Sequence, residues 1–276
     1  MEPRIVFDNK EIDVSSITPE DVRGLSLGKL TEEFGTIGLY TRLIDTLERE
    51  GFNDNNLVQL SLQLGLALHA NDERTNGHYT DHLMRVTLRM LEDFKIRDPN
   101  LIAAGPLHDV LEDHPRDLVL ALTGEKPEKR SIARIIGRDI LSRMTNPEVA
   151  EIVSIVTNPD IESGQDKVAV YSEHTTDIVI NSPKGRVLKL ADFGDNAAGN
   201  HATVGEKQHK LDEKYVEQYR IHMMGLFMPD SLIIGEERQM ALRLLSKGHA
   251  RTLGRLAAGH LLGFTQTSSQ GFVQYT

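Results

Sequence analysis

The chain contains no cysteine and no tryptophan in its 276 residues. The first absence excludes disulfides and thiolate metal sites, so any metal here must be held by nitrogen and oxygen. No apolar run approaches the ~20 residues that a membrane span needs. The best run, LVQLSLQLGLALHA (57–70), is interrupted by Gln and Ser at helical spacing and reads as a core helix. No basic-then-apolar leader opens the chain, because MEPRIVFDNK is charged within a few residues. Together these absences lead to the expectation of a cytoplasmic protein that does not bind membranes. Excess positive charge is also missing: the formal net charge is −10. That balance excludes general nucleic-acid binding through a broad basic surface. It leaves room for a local basic pocket that takes a phosphorylated small molecule.

What is present is ordinary globular composition, 39% hydrophobic and 26% charged, on a chain long enough for a buried core. RIVFDNKEIDV near the start reads as a short strand or an irregular arm. SITPEDV then starts a helix, with Ser/Thr capping and Pro near the first turn. Helical patterns follow. Leu39, Leu43, Ile44 and Leu47 recur at 3.6 spacing, as do Leu83, Val86, Met90 and Leu91. PNLIAAGPLHDVLED opens on helix-starting residues, and Pro106 is placed to kink it. SIARIIGRDILSRM and NPEVAEIVSIVTN are amphipathic. Residues 158–170 read as a loop, and SPKGRVLKLADFGDNAAG turns helical through Val187–Asn196. The helix at 240–263 reads as a packing or dimer helix, so a homodimer is one expectation. The polar residues 265–276 read as a frayed end.

Several acids and histidines sit on faces that are otherwise apolar. Within GPLHDVLEDHP (105–115), His108 and Asp109 are followed one turn later by Glu112 and Asp113, framed by Leu101, Ile102, Leu107, Val110 and Leu111. Asp192 lies among Val187, Leu188, Leu190 and Ala191, and His82 lies early in its own helix. Buried carboxylates need partners, and two His with two Asp make a mixed nitrogen–oxygen set. Such a set suits Mn²⁺, Fe²⁺, Mg²⁺ or Zn²⁺ with open positions. Zn²⁺ is the least favoured, since its closed structural sites lean on Cys and His. A divalent ion in such a site activates water and polarises phosphoryl oxygen. Glu112 and Asp113, at i+4 from His108 and Asp109, fall on the same side of the helix and are candidates for orienting the water or moving its protons. Asn196, at i+4 from Asp192, points the same way and is a candidate for binding substrate.

The order His…His-Asp…Glu-Asp…Asp resembles the HD-domain metal-dependent phosphohydrolases. Longer words sharpen the likeness. NGHYTDHLMRV is similar to the segment sGxPYixHPxxVA, LIAAGPLHDVLED to xxAAxLHDxxEDT, and VLKLADFGDN to xxKLADRLHN. IVSIVTN resembles LVxGVTK, and LDEKYVEQYR resembles a helix near the end of the small hydrolases. Taken together these resemble the hydrolase domain of RelA/SpoT proteins and the small, metazoan-type SpoT homologues, over roughly residues 60–230. The resemblance implies an all-α helical bundle at 51–235, with an extension at 1–50 and a C-terminal helix and tail at 236–276. It implies metal ligands His82, His108, Asp109 and Asp192, with Mn²⁺ as the usual ion. It implies Glu112 and Asp113 as the catalytic acidic pair, and Arg74, Tyr79, Lys189 and Asn196 as substrate contacts. The implied reaction removes the 3′-diphosphate from guanosine tetra- or pentaphosphate. Too few residues follow Asn196 for a second catalytic domain, so no synthetase half is expected. The chain departs from the pattern at His78, Leu83, His114, Phe193 and Asp195. The last two motivate a rival reading, another nucleotide or phosphoester as substrate. A third reading is a nucleotide-sensing module without turnover. His114 reads as an exposed or capping residue. Arg116, Lys126, Lys129 and Arg130 read as a solvated loop, and Tyr171 has no assigned role.

Overall fold

A computed structural model describes residues 5–7, 10–12, 17–74, 77–199 and 205–261. The expectation for 265–276 lies outside them. The early strand reading corresponds to a small hairpin, β1 (Ile5–Phe7) paired antiparallel with β2 (Lys10–Ile12). The rest is helical apart from a second two-residue ladder, β3 (Glu73–Arg74) with β4 (Gly77–His78). Among the described residues no helix is long and apolar enough to cross a membrane.

Helices begin where the sequence offers caps. Thr18 and Asp21 form a capping box for α1 (Pro19–Val22), Asn55 caps α3 (Asn56–Leu68), and Asp98 caps α5 (Pro99–Leu107). Between α1 and α3 runs α2 (Leu27–Arg49), kinked at Gly35, where φ of 56° requires a residue without Cβ. The 158–170 loop is shorter than expected. Asp166 caps α10 (Lys167–Asn181), which the sequence pattern did not reveal because its apolar positions are sparse. The basic segment at 116–130 is likewise part helix, α7 (Pro115–Thr123), ending on left-handed Gly124.

The core is built where α4 (Tyr79–Leu88), α5, α9 (Pro147–Val156) and α11 (Pro183–Gly199) meet. Every residue of α4 from Thr80 to Leu88 is buried. Two glycines set the spacing. A Cβ at Gly65 of α3 would lie 2.1 Å from the Pro106 carbonyl oxygen, and one at Gly105 of α5 would lie 2.5 Å from Met90 Cε. Pro106 does not kink α5 midway. It lacks the N–H that would bond Ile102, and the helix ends one residue later, at Leu107. The turn at His108–Asp109 then leads into α6 (Val110–Asp113). Behind α11, α12 (Gly205–Gly225) places His222 flat against Phe193, with ring centroids 4.7 Å apart. α8 (Arg130–Met144) and α13 (Gly235–Leu261) close the two ends.

Two outcomes follow from this packing. Gly65→Ala forces α3 away from α5 and is expected to lower stability by about 3 kcal/mol, measurable as a shift in urea midpoint at unchanged slope. His222 is buried with neither ring nitrogen bonded, and burial pushes its pKa down to about 3. The unfolded chain takes up that proton near pH 6.5 and the folded one does not. The pH-dependent cost of His222 is therefore absent above pH 6.5 and amounts to about 1.4 kcal/mol of stability per pH unit below it, down to about 3. His222→Leu is expected to lose less stability than the parent between pH 6.5 and 4.5; equal slopes in parallel melts would refute this.

Candidate metal centre and active site

His82, on α4, turns its Nδ1 to Asp195 Oδ2 at 2.8 Å. A carboxylate at that distance accepts, so Nδ1 carries the proton. His108, just past α5, turns its Nδ1 to the Gly105 carbonyl at 2.7 Å, with the same consequence. Each neutral ring is then left with a lone pair on Nε2, and the two Nε2 atoms face each other 3.3 Å apart. Facing lone pairs repel, so the arrangement calls for a cation between them. Asp109 Oδ2 lies 2.9 Å from His108 Nε2 and 3.7 Å from His82 Nε2. Asp192 Oδ1, from α11, lies 3.4 and 3.8 Å from the same two nitrogens. The ligand atoms of His82, His108 and Asp109 all fall within 4.8 Å of one another. This cluster could hold a divalent ion, and its nitrogen and oxygen donors fit one.

A proton can serve as that cation, because the surrounding carboxylates favour charged imidazoles. Burial disfavours the charged forms of His82 and His108. Asp109 and Asp192 outweigh that and raise both, His108 well above the usual imidazole range. Burial likewise opposes ionisation of Asp109 and Asp192, yet the two imidazoles hold both carboxyls well below theirs. The centre is thus a set of charges kept together in a buried place, where a missing partner is costly.

A second layer holds these groups in place. Asp195 also accepts from Arg85 Nε and Nη2, at 2.7 and 3.0 Å. Tyr79 Oη donates to Asp109 Oδ2 at 2.6 Å. Asn196 Nδ2 donates to Asp192 Oδ1 at 2.5 Å, and Asn196 Oδ1 accepts from Arg74 Nη2 at 2.6 Å. Lys189 differs from expectation. It is 2% exposed and gives its Nζ to the Val156 carbonyl and Asn158 Oδ1, both at 3.2 Å. The structure turns Lys189 inward, 3.7 Å from Asp192 Oδ2. The acidic pair divides. Glu112 accepts from Asn158 N and Nδ2, at 3.1 and 3.2 Å, whereas Asp113 stays at the rim. Desolvation, then repulsion from Asp109 and Glu112, raises the Asp113 carboxyl to about 6.

No family model and no curated protein matches this chain. A solved structure does: a metazoan orthologue of SpoT, described as hydrolysing ppGpp and playing a role in starvation responses. It superposes with a TM-score of 0.51 at 16% identity, over 71% of this chain and 97% of that one. The chain has an HD-type fold. The all-α bundle expected from the sequence is the one observed.

Within this HD-type fold, the two departures that had suggested a different substrate both lie behind the centre. Phe193 is buried against Tyr215, Tyr219 and His222, and Asp195 grips His82. The i+3 spacing of His82 with Arg85, and of Asp192 with Asp195, was the signal for that grip. Sequence reasoning also missed a neighbouring chain of polar groups. Asp72 Oδ2 accepts from His69 Nδ1 at 2.8 Å and from His114 Nε2 at 2.6 Å, and His114 Nδ1 reaches Asp117 at 3.2 Å. His114 does stand at the cap position between α6 and α7, but it is partly buried and its ring bridges Asp72 and Asp117. His69 stacks on the Tyr79 ring. Tyr171, with Lys214 3.8 Å over its ring, forms another wall beside Asp192 and Glu112. Asp195→Asn keeps an acceptor for His82 but removes the charge, and is expected to weaken Mn²⁺ binding about 10- to 100-fold. Calorimetric titration of Mn²⁺ checks this; unchanged affinity would remove Asp195 from the metal centre.

Proposed function

We propose that the chain is a metal-dependent phosphohydrolase that removes the 3′-diphosphate from guanosine tetra- or pentaphosphate, giving GDP or GTP and pyrophosphate. The observation that carries the reading is the pair of imidazole Nε2 atoms facing each other at 3.3 Å, flanked by Asp109 and Asp192. Supporting it are the family words in the sequence and the fold shared with a ppGpp-hydrolysing protein. His82, His108, Asp109 and Asp192 hold the ion, with Mn²⁺ the favoured choice. A divalent ion there lowers the pKa of water and polarises a phosphoryl oxygen.

The chain's own groups do the rest. Asp113, with its carboxyl near 6, accepts the proton of the attacking water at neutral pH. The water oxygen bonds to the phosphorus on O3′ and the O3′–P bond breaks; O3′ takes a proton from bulk water as pyrophosphate leaves, and Asp113 returns its proton to bulk water, so the step balances. Glu112, held in place by Asn158, orients that water. Arg74 offers charge to the phosphates, and its hold on Asn196 places that amide beside Asp192. Tyr79 orients Asp109 through its hydroxyl, and its ring, stacked on His69, closes the wall. Lys189 steadies Asp192 and the 156–158 turn from below.

The test is release of pyrophosphate from ppGpp by purified protein with and without Mn²⁺, with Asp109→Ala beside it. The expected result is release that needs the ion and falls at least about 10³-fold in Asp109→Ala. Asp113→Asn is expected to lower the rate about 10²-fold and to abolish the acid limb of the pH profile near pH 6. Mn²⁺ bound without pyrophosphate release, or preference for a nucleotide lacking a 3′-diphosphate, would overturn the substrate.

A further inference from the structure

On the far side of α11 from Asp192 and Asn196 lies a cavity of about 670 Å³. Its floor is apolar, formed by the buried Leu190, Phe193 and Leu245, with the exposed Leu244 at its mouth. Its rim carries seven Arg or Lys against three acids, Glu50, Glu92 and Asp93, each of which already pairs with an arginine, on a chain whose net charge is −10. Three rim cations are already matched. Arg42 binds Glu92, Arg49 binds Asp45, and Arg255 binds Asp212. Three others, Lys95, Lys247 and Arg251, are exposed and have no ion-pair or hydrogen-bond partner among the described residues. Lys247 and Arg251 are one turn apart on α13 and so share a face.

Two independent features mark the same cavity. Arg89 lines it and is 8% exposed. Its Nη1 binds Asp93 at 3.0 Å, but its buried Nε has no acceptor. The guanidinium lies against α11 at Gly194, where a Cβ would stand 3.3 Å from Nε. A buried donor left without an acceptor is costly in an arginine, which keeps its charge. Arg89 also begins a π-helical turn (Arg89–Asp93), an irregularity frequent at functional sites. Just after it comes Lys95, with φ of 52°. Only a small fraction of non-glycine residues adopt that conformation, and it stores strain. Its effect is to bring one more ammonium to the rim.

We propose that this cavity is a second ligand site, separate from the metal centre, for a small organic anion of two or more charges on an apolar or aromatic body. Lys95, Lys247, Arg251 and Arg89 take the charged end, and the floor around Phe193 and Leu245 takes the body. The volume suits a ligand of nucleotide size.

The test is calorimetric titration of the full chain in EDTA with GDP as probe, alongside guanosine and pyrophosphate. The comparison proteins are Lys247→Ala/Arg251→Ala, altered only at exposed positions, and Arg74→Ala, altered in the cleft. Binding of GDP is expected to weaken at least about tenfold in the double variant and to persist in Arg74→Ala. Guanosine and pyrophosphate are each expected to bind at least about tenfold more weakly than GDP. Binding that is indifferent to Lys247 and Arg251, binding lost in Arg74→Ala, or no binding would overturn the site. Pyrophosphate matching GDP would overturn the role of the apolar floor, and guanosine matching GDP would overturn that of the cations.

Discussion

Two imidazole rings whose outer N–H groups are already committed must turn their remaining lone pairs towards each other. The rest of the molecule is arranged around that contact. Asp195 fixes one ring and the Gly105 carbonyl fixes the other. The rings come from different helices, so their separation is a statement about helix packing. α5 can hold His108 at that distance because Gly65 of α3 meets Pro106 on one side and Gly105 meets Thr87 and Met90 on the other. A methyl group at either place would collide with the facing helix and shift α5, which carries His108.

Charge is distributed with similar economy. Arg85 neutralises Asp195 behind His82, and Arg74 reaches Asp192 only through the amide of Asn196. These two guanidiniums thus stay one residue removed from the ligand atoms, and the Lys189 ammonium stands 3.7 Å from Asp192 Oδ2. A guanidinium placed directly on Asp109 or Asp192 would fill the position intended for a cation. The acids further out are graded by their surroundings. Glu112 is held by Asn158, while Asp113 at the rim keeps its proton to about pH 6. Two adjacent carboxyls in one short helix are thereby made chemically different.

Much of this was legible in the sequence, because it depends on local pattern. The apolar frames around His108 and Asp192 marked both as buried, and the caps at Asn55 and Asp98 marked where helices start. What was not legible depends on pairs far apart in the chain. Asp195 differs from the related motif, and only its distance to His82 shows what it does. Lys189 has the same motif position as a substrate contact, yet the 156–158 turn takes its ammonium. The His69–Asp72–His114 chain joins residues 42 positions apart through one carboxylate oxygen. α10 escaped notice for a different reason. Its exposed face is long and its buried one carries only Thr175, Ile178 and Val179, too few to show a period.

Asp192 and Asp195 stand one turn apart on α11, and they approach the same imidazole from its two opposite nitrogens. The helix is therefore indexed to the ring as a rack is to a pinion. Sliding it by one residue's rise, about 1.5 Å, would disengage both carboxylates at once. Length can change with less consequence at 161–165, which lies beyond Asn158 and before the Asp166 cap of α10. Between Pro183 and Asn196 a single inserted or deleted residue would rotate one carboxylate off its nitrogen while leaving the helix intact.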